Sequence, residues 1–238
     1  MEEGQYTDNQ VFNMDESGLY QMKLPSKTFI VKSASKCRRR KMQKERITVV
    51  FTTNTSGTAK LKLSVIHKAH KLHAYKNMDM NKLNVHWLTS RKAWMFSGLS
   101  FSWFDNCLVP DIKKFCEENN VPFNILLLLD NAPGHSPLLL DHHPNVKVVF
   151  LPANTTLLIQ SMDHELICNM KAAFSAKKFR LLNDFTNTKD ELQNLERGTD
   201  SEDEEHEQDL VDHEMRVKQF WKLFNVKKAV DFLVEAWG

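Results

Sequence analysis

The sequence predicts an α/β protein built on a mixed sheet flanked by helices. The strongest observation is an unbroken apolar run over residues 125–129, which ends at Asp130 and is followed closely by Pro133 and Gly134. Such a run is typical of a strand buried on both faces, as in the middle of a parallel sheet. A second observation is the order of the patterns, in which strand-like segments come first and then alternate with helical ones.

The segments before this hub strand predict a β-meander. Residues 11–14 form a short strand-like run that Gly18 is expected to break, which places Asp15 and Glu16 at a strand end. Residues 46–52 are rich in β-branched side chains, a turn follows at 54–57, and the alternating residues 60–66 predict the antiparallel partner. Residues 67–90 carry no clear period and are predicted to be irregular.

Aromatic and aliphatic residues then recur at helical spacing, which predicts an amphipathic helix over about 100–118. The stripe includes Trp94 and Trp103 and is interrupted by Pro110. We expect this stripe to be core rather than a platform on which bases stack. Beyond the hub strand, residues 146–151 predict a further strand, and apolar residues from Asp163 onward predict a helix.

Charge is distributed unevenly and suggests three regions. Residues 189–214 hold twelve acidic side chains and two basic ones, a net charge of −10. Because the whole chain carries +2, the remaining residues carry +12. We predict a folded domain over residues 1–183, an acidic disordered linker over 184–214, and a C-terminal amphipathic helix over 215–238 that packs on the body or on a partner. No apolar run approaches the length of a membrane span.

Three acids are candidate metal ligands: Asp15, Asp130 and Asp163. If the first strand and the hub strand are neighbours, their carboxyl ends meet at the sheet edge where ligands bind in α/β proteins. An all-oxygen cluster there suits Mg²⁺ or Mn²⁺, and two such ions activate a water or hydroxyl in phosphodiester chemistry. The alternative is structural: Asp130 opens an Asx-turn, and Ser161 or Asp163 caps a helix.

The basic body suggests an anionic partner, with nucleic acid the commonest one. Candidate contact residues are Arg38, Arg39, Arg40, Lys41, Lys171, Lys177 and Lys178. The run at 38–41 also fits a nuclear localisation signal or a solvated hairpin tip.

Several segments resemble the DDE endonuclease domain of Tigger and jerky transposase-derived proteins, in the pogo branch of the mariner superfamily. Residues 10–19 (QVFNMDESGL) are similar to the first acid motif, and residues 92–95 read KAWM, as in the family. Residues 127–135 (LLLDNAPGH) resemble the second acid motif, and 149–163 (VFLPANTTLLIQSMD) the third. The resemblance covers almost the whole chain.

This resemblance implies an RNase H-like fold in which Asp15, Asp130 and Asp163 form the catalytic, metal-binding triad. It implies Mg²⁺ or Mn²⁺ as cofactor, DNA as partner, strand cleavage and transfer as chemistry, and the nucleus as location. A homodimer or another protein partner could form through the C-terminal helix. Family members begin with helix-turn-helix domains; this sequence starts just before the first acid motif, so we expect that DNA-binding region to be missing from it.

Two alternatives stay open. The third motif lacks the proline and glycine that the family usually has around Asp163, and it carries Glu165 instead. This departure fits a catalytically inactive, domesticated DNA-binding or interaction protein. A small phosphohydrolase could use the same acids, but no Gly-rich phosphate loop accompanies them.

Overall fold

The structure, a computed structural model, describes residues 6–21, 46–152, 165–194 and 215–238, with only the backbone described over 187–194. These residues divide into two compact units. The first unit holds the described residues between 6 and 152 except Leu72–Met78, and the second holds Leu72–Met78 together with those from 165 onward. Each unit is described by itself.

The first unit contains a six-stranded mixed sheet, which confirms the predicted fold class. In chain order the strands are β1 (Val11–Tyr20), β2 (Arg46–Asn54), β3 (Ser64–His67), β4 (His86–Thr89), β5 (Ile125–Leu129) and β6 (Val146–Phe150). Their order across the sheet is β4-β3-β2-β1-β5-β6. Strands β1, β2 and β3 pair antiparallel, whereas β5 is parallel to both β1 and β6, and β4 is parallel to β3.

The predicted hub strand is β5, and its position explains its composition. It lies between β1 and β6 with parallel pairing on both sides. Leu126, Leu127 and Leu129 are buried, as expected for a strand with no solvent-facing side. The expectation drawn from the apolar run is therefore confirmed, and the expectation for residues 146–151 is confirmed by β6.

A helical layer covers one face of this sheet. It comprises α1 (Ser97–Trp103), a π-helical turn (Phe104–Leu108) and α2 (Val109–Asn119). The layer buries Trp103, Phe104 and Ile112 against sheet residues that include Phe12 and Leu127. Pro110 does not interrupt the helical path: it is the second residue of α2 and directly follows the π-helical turn. The aromatic stripe is therefore core within these helices, as predicted.

Several local predictions were wrong. Gly18 does not break β1, which continues to Tyr20, so Asp15 and Glu16 lie inside a strand instead of at its end. A side chain at position 18 would place its Cβ 3.0 Å from Cδ of Arg46, so glycine permits a close approach here. Residues 86–89 form β4 within the segment predicted to be irregular. Trp94 precedes α1 and is exposed, so it does not belong to the buried stripe.

The second unit is helical. It contains α3 (Ile167–Asn194), a helical stretch over residues 215–223, and α4 (Val226–Trp237). Residues 184–194, assigned above to the linker, are thus helical. The C-terminal tail is two helices, which are separated by the non-helical residues 224 and 225. Asn225 caps α4 by accepting a hydrogen bond from the Lys228 N–H at 3.1 Å. The apolar side of α4 is buried within this unit.

Candidate functional site

Strands β1 and β5, which lead to two of the three candidate acids, are parallel neighbours in the sheet. Val11, Phe12 and Asn13 pair with Leu126, Leu127 and Leu128. Asp15 lies two residues beyond the last paired residue of β1, and Asp130 lies two residues beyond that of β5. The neighbouring strands that the metal-site hypothesis requires are therefore present.

Asp15 lies on the sheet face opposite the α1–α2 layer. Phe12 and Met14 belong to the core beneath that layer, and side chains alternate along a strand, so Asp15 points the other way. It is 8% exposed, which is unusual for an aspartate. Pairing with β5 ends before Asp15, while pairing with β2 continues past it. Asp15 thus lies where the parallel part of the sheet opens.

Asp130 follows β5 directly and begins a tight loop. Its Oδ1 accepts a hydrogen bond from the Ala132 N–H at 3.3 Å, which is the Asx-turn that the sequence allowed. The loop packs closely on the segment before α1: a Cβ at Gly134 would lie 3.2 Å from the carbonyl oxygen of Met95. The Ser136 N–H donates to Ser100 Oγ at 3.0 Å. These contacts hold the Asp130 loop against the helical layer.

His135 links the loop to β1 through two carboxylates. Its Nδ1 lies 2.7 Å from Asp130 Oδ1, and its Nε2 lies 3.0 Å from Glu16 Oε2. Nδ1 also lies 3.0 Å from the Asp130 carbonyl oxygen. The imidazole is 1% exposed, so its two contacts are shielded from water. Glu16 faces the helical side, the opposite side from Asp15.

These contacts set the charge of the group. Burial alone would lower the pKa of His135, but the hydrogen bonds to Asp130 and Glu16 raise that pKa to about 10. The same hydrogen bond from His135 lowers the pKa of Asp130. At neutral pH the imidazole is therefore a cation that donates from both nitrogens, and Asp130 is ionised.

The other predicted site residues have different outcomes. Asp163, Arg38, Arg39, Arg40 and Lys41 lie outside the described residues. Across 6–21, 46–152, 165–194 and 215–238, no group of three His, Cys, Asp or Glu side chains is close enough to hold a metal ion. Two of the three expected ligands, Asp15 and Asp130, are thus among the described residues, and they belong to neighbouring strands or directly follow one.

The candidate DNA contacts on α3 differ in exposure. Lys177 forms an ion pair with Glu235 and lies 4.9 Å from the ring centroid of Phe232. Lys178 is 1% exposed and lies 4.8 Å from the Phe179 ring and 5.8 Å from the Trp221 ring. A lysine buried among aromatic rings is not available to phosphates, so its assignment as a surface contact was wrong. Lys171 is partly exposed.

The sequence analysis assigned no role to His135 or to Glu16. Glu16 lies inside the first acid motif, at 10–19, and His135 lies inside the second, at 127–135. The available signal was position in the sequence: Glu16 directly follows Asp15, and His135 ends the Asp130 loop. The pairing itself joins residues 119 positions apart, which no local pattern reports.

The fold and this edge of the sheet define a class. Strands β3-β2-β1-β5-β6, antiparallel on one side of β1 and parallel on the other, form the RNase H-like arrangement that the resemblance implied. One aspartate lies in β1 and another directly follows the neighbouring strand β5. Among the described residues, no helix combines the length and apolar composition that a bilayer crossing needs.

The chain belongs to the family described as DDE superfamily endonuclease, whose family model matches residues 44–238. It is 27% identical to human Tigger transposable element-derived protein 7 over 96% of this chain and 39% of that protein. It is 30% identical to the human Jerky protein homolog over 65% of this chain and 27% of that protein. The chain therefore spans well under half the length of these relatives.

Two further likenesses are more distant. Mouse Tigger transposable element-derived protein 4 is 26% identical over 71% of this chain and 31% of that protein. Among solved structures, a chain of the Mos1 transposase paired-end complex with left transposon end matches with a TM-score of 0.45 and 12% identity. That match covers 70% of this chain and 42% of the Mos1 chain.

Proposed function

We propose that this domain binds DNA and cleaves or transfers its strands with Mg²⁺ or Mn²⁺ held by Asp15, Asp130 and Asp163. The observation that carries the proposal is the parallel pairing of β1 and β5, because Asp15 lies two residues beyond the last paired residue of β1 and Asp130 two residues beyond that of β5. Membership of the DDE superfamily endonuclease family supports the same chemistry.

The donor chemistry fits a hard divalent cation. Both described ligands are carboxylates, the type that Mg²⁺ and Mn²⁺ prefer. Asp130 uses Oδ1 for His135 and Ala132, and the described residues give Oδ2 no partner, so this oxygen is left for a metal. Asp163 is the third carboxylate in the proposal.

The chain's own residues would fix this donor set in advance. His135 holds Asp130 at Oδ1, which orients the remaining oxygen, in the way that outer hydrogen bonds orient metal ligands. Because the pKa of Asp130 is lowered, the carboxylate stays ionised at neutral pH. When bound, the ions would activate a water or hydroxyl and stabilise the leaving oxygen of the phosphodiester.

DNA as the partner and the nucleus as the location belong to the same proposal. The body outside residues 189–214 is strongly basic, and cationic surfaces bind the phosphate backbone. The relatives are named as transposable element-derived proteins. Arg38, Arg39, Arg40, Lys41, Lys171 and Lys177 are the proposed phosphate contacts.

Thermal unfolding with and without Mn²⁺ tests the metal site. At a concentration about 100-fold above Kd, the ion should stabilise the wild type by about 2.7 kcal/mol, which appears as a higher melting temperature. Asp130→Asn should abolish this rise. Asp8→Asn, in an exposed turn, is the matched control and should keep it. A wild type that does not respond to Mn²⁺ would exclude the metal site.

A domesticated, catalytically inactive protein is the second candidate, favoured by the altered third motif around Asp163. Cleavage of supercoiled plasmid with Mg²⁺ separates the two. If the wild type converts the plasmid and the combined variant Asp15→Ala, Asp130→Ala, Asp163→Ala does not, the domain is an endonuclease. Equal behaviour of the two proteins, with DNA binding retained, supports the inactive alternative.

A further inference from the structure

A pair of exposed aromatic side chains stands beside the candidate site. Trp94 is 58% exposed and Phe96 is 52% exposed. Both line one cavity of about 660 Å³, within the size range of ligand pockets. Its other lining residues are Thr89, Ser90, Arg91, Lys92 and Met95. We call Trp94, Phe96 and their cationic neighbours Arg46, Arg91 and Lys92 the aromatic platform.

The backbone presents Trp94 outward at an energetic cost. Ala93 has φ of 53°, in the left-handed region that residues other than glycine seldom adopt. Its carbonyl oxygen accepts a hydrogen bond from Thr48 Oγ1 at 2.6 Å, and its N–H donates to the Ser90 carbonyl at 2.9 Å. Strained backbone that its surroundings hold in place is frequent where a protein binds a ligand.

Arg46 supports the ring from one side. Its guanidinium carbon lies 3.9 Å from the centre of the Trp94 ring, and its alkyl chain crosses Gly18 of β1. This stacking fixes the plane of the indole while more than half of the side chain remains exposed. The cavity lining adds Arg91 and Lys92, and none of its described residues is acidic. Flat rings framed by cations complement a ligand that is flat and anionic.

The platform is attached directly to the loop of Asp130. Met95 lies between Trp94 and Phe96, and its carbonyl oxygen is the atom that a Cβ at Gly134 would approach to 3.2 Å. Gly134 precedes His135, which holds Asp130. The aromatic platform is therefore adjacent to the loop that carries Asp130.

We propose that the aromatic platform stacks an unpaired nucleobase of single-stranded DNA, with Arg46, Arg91 and Lys92 near its phosphates. The inference rests on the proposed function, because it takes DNA as the partner. Stacking on an aromatic ring tolerates every base and requires a base that is not paired in a duplex. The sequence analysis assigned Trp94 to the core; its exposure gives it this different role.

The test measures binding of the full chain to fluorescein-labelled oligothymidine by fluorescence anisotropy in EDTA. Trp94→Ala should weaken binding roughly 5- to 100-fold, the range known for loss of one base–aromatic stack. Trp94→Phe should restore most of the affinity, because it returns a ring. Leu138→Ala is the matched control: this side chain is 72% exposed and should not affect binding. Melting temperatures of all variants should stay close to that of the wild type.

An abasic strand of the same length separates stacking from charge. It keeps the phosphates and lacks the bases. The wild type should therefore bind the abasic strand as weakly as Trp94→Ala binds oligothymidine. Trp94→Ala and the wild type should bind the abasic strand equally. If Trp94→Ala binds oligothymidine as the wild type does, the proposal is wrong, and a protein partner becomes the better occupant of this surface.

Other outcomes distinguish this inference from the proposed function. A wild type that binds duplex DNA and not oligothymidine overturns the platform and leaves DNA binding intact. A wild type that binds neither overturns both. Because EDTA is present throughout, failure of the metal site alone would leave the stacking result unchanged.

Discussion

The imidazole of His135 holds the carboxylate of Asp130, with Nδ1 at 2.7 Å from Oδ1. The other ring nitrogen contacts Glu16 of β1, so one buried cation ties the end of the hub strand to its neighbour. This contact fixes a candidate metal ligand without using both of its oxygens. It also makes the stability of the sheet depend on pH.

Replacing His135 by glutamine should lower the free energy of unfolding by about 2–4 kcal/mol near pH 6, because two carboxylates lose a buried cation. The pKa of His135 is raised from 6.5 to about 10 on folding. Its contribution is therefore fully present below about pH 6.5 and is lost as the pH rises through 10. The pKa of Asp130 is lowered from 3.8, so its contribution is present above that pH and is lost as the pH falls through the lowered pKa.

Denaturant unfolding of wild type and His135→Gln across pH 5 to 10.5 checks this prediction. The difference in unfolding free energy between the two proteins should be largest near pH 5–6.5 and should shrink towards pH 10.5. A difference that stays constant over this range would mean that the pKa of His135 does not change on folding, and a difference that grows as the pH rises through 6.5 would mean that the folded protein holds the ring neutral.

Gly134→Ala should destabilise the protein by about 1 kcal/mol or more, because the new Cβ would meet the backbone carbonyl of Met95, which cannot turn aside. The loop would shift, and the stabilisation by Mn²⁺ should weaken with it. Gly98→Ala is the control. There the Cβ meets the edge of the Phe96 side chain at 3.1 Å, which can move, and alanine favours the helix. Thermal melts with and without Mn²⁺ measure both effects, and equal behaviour of the two variants would contradict the prediction.

Trp103 and Ser64 should be energetically coupled by about 1 kcal/mol. The indole N–H of α1 donates to the serine Oγ of β3 at 2.9 Å, and both residues are buried. Trp103→Phe leaves the hydroxyl without this donor, and Ser64→Ala leaves the N–H without this acceptor, so each should cost about 1–3 kcal/mol. A double-mutant cycle by denaturant unfolding measures the coupling. Strictly additive losses would show that this hydrogen bond contributes nothing.

Lys178→Ala should destabilise the helical unit by about 2 kcal/mol or more without changing the salt dependence of DNA binding. The side chain is buried against Phe179 and Trp221, so alanine removes packing and cation–π contacts. Arg180→Ala, at an exposed position of α3, is the control and should leave the melting temperature nearly unchanged. A reduced slope of log K against log salt for Lys178→Ala would contradict its burial, since that slope counts phosphate contacts.

The fold class could be predicted from the sequence because a strand buried on both faces has an unbroken run of apolar residues. The five consecutive apolar residues of β5 are typical of a strand inside a sheet, and β1 and β6 pair with its two edges. The ends of the strands were harder to predict. Gly18 is a helix- and strand-breaker by local preference, yet it lies inside β1 because Arg46 crosses it closely, and that contact comes from another strand.

The sequence by itself determined the mixed α/β sheet, the hub strand, the helical layer and the family, because periodicity and motifs are properties of neighbouring residues. Only the tertiary structure decided that β1 and β5 are parallel neighbours, that His135 joins Asp130 to Glu16, that Lys178 is buried and that Trp94 is exposed. These facts depend on which strands pair and in which register. Residues more than a hundred positions apart meet only after the chain has folded.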